Sequence, residues 1–374
     1  MLLVTVFLVT RGHGVSVSHG GKNSKTRENE KIATCGRFWY NAAEVRIMSN
    51  VTYLETGSTD PAYNLAFEEY VLIHRTQGDY LLLWQNDNTI VVGQNQNTAQ
   101  EIDPAFVKEH HITVVRRGTG GGAVYHDLGN LNYSFITDTG AAERLTMDRF
   151  TRPIVEALQN LGLNAEASGR NDILVEGRKV SGTAQRLVHG RILHHGTLLF
   201  DSRPEMIAGA LRVDQAKFTS KSAKSVKSRI GNIREFLPAD MTLPEFWEYL
   251  KRQLAGTGLV QSALTADELA QVSRLADEKY RTWEWTYGRS PKFDMVKRNY
   301  FTGGRLEVGV SVDHGSITEI RFYGDFLSLT DTTPLCRALE GVAYREDAVA
   351  AVLDSQPMAE MFGGITRDEV LRTI

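Results

Sequence analysis

Between residues 113 and 125 the chain passes from Thr113-Val114-Val115, through Arg116-Arg117-Gly118-Thr119-Gly120-Gly121-Gly122, into Ala123-Val124-Tyr125. The β-branched residues before the glycines and the renewed β character after them predict strand, loop and strand. Three consecutive glycines permit positive φ and close approach of a ligand to the backbone. Their N–H groups can converge on phosphate or carboxylate oxygens, with Arg116 and Arg117 adding charge-assisted contacts. A flexible hairpin loop carrying two solvated arginines is the competing reading. A Walker loop is excluded, because no Gly-Lys-Ser/Thr ending follows and the glycines lead into a strand rather than a helix.

The rest of the pattern surrounds that loop with strands and helices. Asp60-Pro61 is a helix start, and Leu65, Tyr70, Leu72 and Ile73 among Glu68 and Glu69 predict a half-buried helix to His74. Residues 81–84 and 89–92 read as short strands joined by the turn-rich Gln85-Asn86-Asp87-Asn88, and residues 131–136 as another strand. A helix over 149–161 precedes a hairpin, 172–176 and 179–187, with Gly177 in its turn; His189-Gly190-Arg191 then leads to a strand over 192–200. This predicts an α+β domain with a mixed or antiparallel central sheet. After about Gly256 a helical stretch over 266–280 leads to Trp283-Glu284-Trp285-Thr286-Tyr287-Gly288. Strands over 305–312 and 316–323 and further helices follow, as in a smaller α/β accessory domain. The expected division is 1–47, a disordered extension or sequence upstream of a start at Met48; 48–256, catalytic; and 257–374, accessory.

Net charge is -3 over 374 residues, which disfavours a nucleic-acid-coating role. The apolar run over 2–9 is too short to span a bilayer and lacks the flanks of a secretory signal, so no membrane partner is expected. Only Cys35 and Cys336 are present, in no metal-ligand spacing, which fits a reducing, cytoplasmic setting. A monomer is expected.

Three further segments can carry chemistry. If residues 179–184 form a strand, Lys179, Ser181 and Thr183 share one face and Val180 the other, leaving Lys179 amid small residues with room for a ligand. A solvent-facing lysine is the plain alternative. Lys217, Lys221, Lys224, Lys227 and Arg229, spaced among serines, suit a loop closing over a triphosphate, a solvated surface or a nucleic-acid patch. His194-His195 before Gly196 has no carboxylate or cysteine neighbour in the sequence and reads as structural or orienting rather than zinc-binding.

Together these segments resemble the lipoate–protein ligase family. The resemblance is carried by residues 116–127 with Gly129-Asn130-Leu131-Asn132, by Gly169-Arg170-Asn171-Asp172, by Gly177-Arg178-Lys179-Val180-Ser181-Gly182-Thr183-Ala184 and by His194-His195-Gly196-Thr197. Lys224-Ser225-Val226-Lys227-Ser228-Arg229 with Asn232 is similar to the family's adenylate-binding loop. The likeness runs from about Val51 to the C-terminus. It implies a fold related to biotin ligases and class II aminoacyl-tRNA synthetases. It further implies that ATP and lipoate, or octanoate, form an acyl-adenylate with Mg2+ present. The acyl group would then pass to a lysine of a lipoyl domain of a 2-oxoacid dehydrogenase complex or of a glycine-cleavage carrier protein.

By that resemblance Arg117, Gly122, Ala123, Val124, Tyr125, Lys179, Ser225 and Arg229 contact ATP. Gly120, Gly121, Gly122, Lys179 and His195 contact lipoate, Lys179 is catalytic, and Asp172 is a magnesium ligand. Two other classes are weighed against this. An octanoyl or lipoyl transferase needs a thiolate, and no cysteine lies between Val51 and Gly256. A non-catalytic acyl-adenylate-binding module has no need to keep Lys179, the glycine loop and the basic loop together.

Overall fold

Asp60 and Pro61 open the first helix of the computed structural model, which describes residues 51–139, 147–211, 229–255, 258–288 and 293–374. The Asp60 carboxylate accepts from the amides of Ala62 (3.0 Å) and Tyr63 (3.4 Å), and Pro61, which has no N–H to satisfy, takes the first turn. The helix Pro61–His74 is buried on nearly every side rather than on half of it, Glu68 and Glu69 included. The reason is the later segment Ala266–Leu275 with its π-helical continuation Ala276–Tyr280, whose Val272, Ala276 and Tyr280 join Leu65 and Ala66 in one apolar cluster. Buried Glu69 is stabilised by donors from Arg186 (3.0 Å), Lys279 (2.6 Å) and Tyr280 (2.5 Å).

Among the described residues the strands are β1 (Val51–Glu55), β2 (Asp79–Trp84), β3 (Thr89–Val92), β4 (Thr113–Arg116), β5 (Val124–His126), β6 (Asn130–Asp138) and β7 (Ala165–Ser168). They continue with β8 (Asp172–Val175), β9 (Arg178–Val188), β10 (Arg191–Leu199), β11 (Leu259–Gln261), β12 (Met295–Phe301), β13 (Gly304–Asp313) and β14 (Ser316–Gly324). A mixed sheet has the order β11-β1-β2-β6-β10-β9-β8-β7, with β1 parallel to both neighbours and the other pairs antiparallel. A small sheet, β4-β3-β5, stands apart from it. Thus β2 and β3 lie in different sheets, and Gln85–Asn88 is a crossing between them rather than a hairpin tip. β9 and β10 meet in a two-residue turn in which His189 (φ 46°) and Gly190 (φ 77°) are both left-handed.

Period-two alternation divides the large sheet into two faces. Leu81, Leu83, Leu131, Tyr133 and Phe135 face a core shared with the helices Met147–Asn160 and Leu243–Ala255. Leu82, Trp84 and Ile136 face the helix Pro61–His74. The segment Leu259–Thr286, expected in the accessory domain, packs on this part of the molecule, through β11 on β1 and through the apolar cluster already described. The antiparallel sheet β12-β13-β14 has its own core with the C-terminal helices, including Leu335, Leu353, Phe362 and Val370. Its exit, residues 324–329, returns to the larger part of the molecule: Gly324 N–H donates to Asn95 O (2.7 Å), Gly121 N–H to Phe326 O (3.1 Å) and Leu187 N–H to Leu329 O (2.7 Å).

Candidate active site

The glycine loop is held by the two arginines before it. Fully buried Arg116 donates from Nη1 to the carbonyls of Gly93 (2.8 Å), Gln94 (3.0 Å) and Gln96 (2.6 Å). Its Nε and Nη2 donate to the carbonyls of Trp285 and Thr286, both at 2.8 Å, and Trp285 Nε1 returns a bond to Arg116 O (2.8 Å). The anion contact expected of Arg116 is therefore replaced by a structural role, since a buried guanidinium must be surrounded by acceptors. This is also what the Trp-Glu-Trp segment is for locally. Arg117 braces the loop itself, from Nε to Thr119 Oγ1 (2.9 Å) and from Nη2 to Gly120 O (2.7 Å) and Gly122 O (2.9 Å). Burial pulls its pKa down to about 10, with the nearby Glu68 charge acting the other way.

Only Gly121 of the three glycines takes a positive φ (88°), and its N–H donates to Phe326 O (3.1 Å) rather than facing an anion. A side chain at Gly120 would meet Phe326 O and Ser328 N, each at 2.8 Å, whereas Gly122 faces open space. Behind the loop, a methyl at Gly93 would collide with the Gly121 carbonyl. These contacts let the backbone come close enough to form one side of an open cleft of about 620 Å³, part of it bulk solvent.

Lys179 borders the other side. A bulge at Ile173/Leu174 pairs Leu174 with Lys179 and Ile173 with Ser181, so strict alternation fails here. Ser181 is buried, and the ammonium shares its face with Gly182 instead: a side chain at Gly182 would sit 3.1 Å from Lys179 Nζ. The expected grouping of Lys179 with Ser181 is corrected accordingly, while Thr183 does line the cleft. Lys179 Nζ pairs with Asp172 Oδ1 at 2.7 Å, both side chains more than a third exposed. The backbone below is fixed by Gly231 N–H donating to Lys179 O (2.9 Å) and by an Ile230–Lys179 bridge. Arg229 immediately precedes that bridge. Ser225, Lys217, Lys221, Lys224 and Lys227 lie outside the described residues.

His195 lines the cleft in a buried chain: Nδ1 lies 2.9 Å from Glu68 Oε1, and Nε2 lies 2.8 Å from Thr119 Oγ1. His194, on the opposite face, contacts Gln185 (3.0 Å) and stacks on Phe150 (4.9 Å between ring centroids); burial drives its pKa well down. Arg117, Gly121, Gly122, Ala123 and Val124 all line the cleft. Gly120 and Tyr125 are not among its lining residues. Alternation along β5 sends Tyr125 into another apolar cluster, where its hydroxyl donates to Asn88 Oδ1 (2.9 Å). The same alternation brings His126 to the cleft, and the face of the sheet adds Trp84, Asn132 and Thr197. The sequence-based assignments lacked these four, although period two counted from Val124 identifies His126.

No group of three or more His, Cys, Asp or Glu side chains suited to a metal occurs among the described residues. Mg2+ is commonly held by one or two carboxylates plus substrate phosphates, and Asp172 beside Lys179 fits that mode only together with a nucleotide. No helix among the described residues is long and apolar enough to cross a membrane.

Comparison with known proteins agrees with this architecture. Residues 60–255 match the family described as lipoyl protein ligase A/B catalytic domain, and residues 290–374 match bacterial lipoate protein ligase C-terminus. The lipoate-protein ligase LplJ of Bacillus subtilis is 42% identical over 320 residues, covering 84% of this chain and 97% of that protein. A structure of lipoate-protein ligase A bound with ATP superposes with a TM-score of 0.55 at 27% identity, covering 64% of this chain and 99% of that one. An archaeal bipartite lipoate protein ligase, studied with its E2 lipoyl domain from Thermoplasma acidophilum, gives 0.55 at 29% identity, covering 66% and 99%. Sequence and fold agree that the chain belongs to the lipoate–protein ligase family.

Proposed function

We propose that the cleft activates lipoate with ATP and passes the lipoyl group to a lysine of a carrier domain. The observation that carries this reading is the placement of Lys179: a half-exposed ammonium over Gly182, beside a glycine loop, paired among the described residues with the exchangeable carboxylate of Asp172. Two unit charges about 4 Å apart repel by roughly 4 kcal/mol at an effective dielectric of about 20. An ammonium between carboxylate and α-phosphate turns that repulsion into attraction and stabilises charge developing on the phosphate.

The lipoate carboxylate oxygen attacks the α-phosphorus, pyrophosphate leaves, and lipoyl-AMP forms. The amine of the carrier lysine then attacks the acyl carbon, loses a proton and expels AMP. Lys179 holds the carboxylate and phosphate oxygens in the first step and polarises the acyl carbonyl in the second. Arg117 keeps the loop in shape, and the open face of Gly122 leaves room for the nucleotide. Asp172, together with the substrate phosphates, would hold Mg2+, which would supply charge neutralisation at pyrophosphate. Carriers of the lipoyl-domain type, including the glycine-cleavage carrier, are the acceptors in this reading, and the bound ATP and the E2 lipoyl domain of the two structural relatives support it.

The transferase route needs a thiolate. Cys336 is buried in the C-terminal core and its thiol is pushed up to about 11, chiefly by burial, so it stays protonated at neutral pH. The test is lipoate-dependent exchange of labelled pyrophosphate into ATP, with and without an apo lipoyl domain. Exchange plus modification of the domain is expected; a folded protein without exchange overturns the adenylation reading.

A further inference from the structure

Two buried N–H donors on the wall of the cleft have no partner among the described residues, and for His126 the neighbours fix why. Asn64 Nδ2 donates to the carbonyls of Ser58 (3.0 Å) and Gln85 (2.7 Å) and to Asn86 Oδ1 (3.0 Å). Asn86 must then turn its own amide nitrogen to His126 Nδ1, 3.1 Å away. The ring accepts at Nδ1 and so carries its proton at Nε2. That Nε2 finds no partner, and His126 is 3% exposed. Burial, with Arg117 and His195 nearby, lowers the His126 pKa to about 3 and keeps the ring neutral. Asn132 lies beside it: Oδ1 accepts from Asn130 Nδ2 (3.0 Å), and Nδ2 has no partner among the described residues on a residue 2% exposed.

Sheet register places both donors relative to Lys179. Trp84 pairs with Asn132, Asn132 with Thr197, and Asp172 with Gly182, while Gly182 N–H reaches Thr197 Oγ1 at 3.2 Å. A row therefore crosses β2, β6, β10, β9 and β8. Gly182, under the Lys179 ammonium, stands two strands from Asn132, about 10 Å at the usual strand spacing. An extended eight-carbon acid is about 9 Å long from standard bond lengths. The ring of Trp84 lies 6.4 Å from that of His126, so both donors belong to the same end of the row.

Given the reading above, on which this inference rests, we propose that His126 Nε2–H and Asn132 Nδ2–H recognise the two sulfur atoms at the far end of lipoate. The site then selects a dithiolane acid over a plain fatty acid of equal length. A buried donor without an acceptor is costly. Sulfur lone pairs are weak acceptors but engage both groups, whereas an alkyl end leaves both bare. Leu65, Trp84 and Val91 supply the apolar contact that either chain enjoys.

The test compares kcat/KM in pyrophosphate exchange for lipoate, octanoate and 5-cyclopentylpentanoate, which keeps the ring and replaces both sulfurs by methylene groups. The wild-type enzyme is expected to prefer lipoate over the carbocycle by about tenfold, the size of one hydrogen bond. His126→Phe and Asn132→Leu are each expected to shrink the lipoate-to-octanoate ratio, where a purely structural role lowers both acids in parallel. Equal use of lipoate and the carbocycle by the wild-type enzyme, or an unchanged ratio in both folded variants, overturns the inference alone. Exchange with none of the three acids overturns the adenylation reading and this inference with it.

Discussion

The two sides of the cleft are built on opposite principles. On the glycine-loop side the polar groups are buried and spent on the protein itself: Arg116 and Arg117 donate to carbonyls, and His195 sits between Glu68 and Thr119. On the β9 side Lys179 is more than a third exposed and bound through one ion pair. Shape is thus kept by buried groups bonded to the protein itself, and charge is presented by a group whose partner is readily exchanged. A rigid frame beside an exposed ammonium with an exchangeable partner is what preorganised electrostatic catalysis requires.

The sharpest break of this comparison is Lys179→Ala. Loss of pyrophosphate exchange by about 10²–10³-fold is expected. Its exposed ion pair contributes little, so unfolding free energy should move by less than about 1 kcal/mol. Near wild-type exchange from a folded variant would sink the assignment. Gly93→Ala attacks the opposite side, because its methyl displaces Gly121. There activity and stability should fall together, by about 10²-fold for a displacement of about 1 Å and by about 1–3 kcal/mol for overpacking. Unfolding curves and exchange rates on one preparation separate the two outcomes.

Acid sharpens the contrast further. Buried His126 and His194 stay neutral in the fold, with pKa values lowered by burial, while the unfolded chain takes protons near pH 6.5. Below that pH the unfolded state binds more protons, so stability rises with pH up to about 6.5 and falls on acidification by about 1.4 kcal/mol per pH unit for each ring. His194→Phe should roughly halve the slope of denaturation midpoints between pH 6 and 4.5; an unchanged slope would place the acid sensitivity elsewhere. The smallest effect belongs to Cys336→Ala, in the distant C-terminal core. Transfer to a lipoyl domain should be unchanged and stability reduced by about 1 kcal/mol; lost transfer would revive a thioester route.

Much of this was legible in the residues. Asp60-Pro61 caps its helix as written, and Gly177 and His189-Gly190 mark real turns. The local signal failed at Arg116, Ser181 and Glu68. A buried arginine and a solvated one look alike in a sequence, since what separates them is carbonyls that arrive from Trp285 and Thr286. The grouping of Lys179 with Ser181 failed because a bulge consumes one residue of β9, and no residue type marks it.

By itself the sequence determined the helix cap at Asp60, the turns at Gly177 and His189-Gly190 and the family, because caps, turns and ordered motifs are local and survive without partners. Only the tertiary structure decided which charges are free. The burial of Glu68 and Glu69, the commitment of Gly121 N–H to Phe326 and the two bare donors at His126 and Asn132 depend on what distant segments bring into contact. Desolvation and hydrogen bonding act between neighbours in space, and those neighbours lie up to about two hundred residues away along the chain.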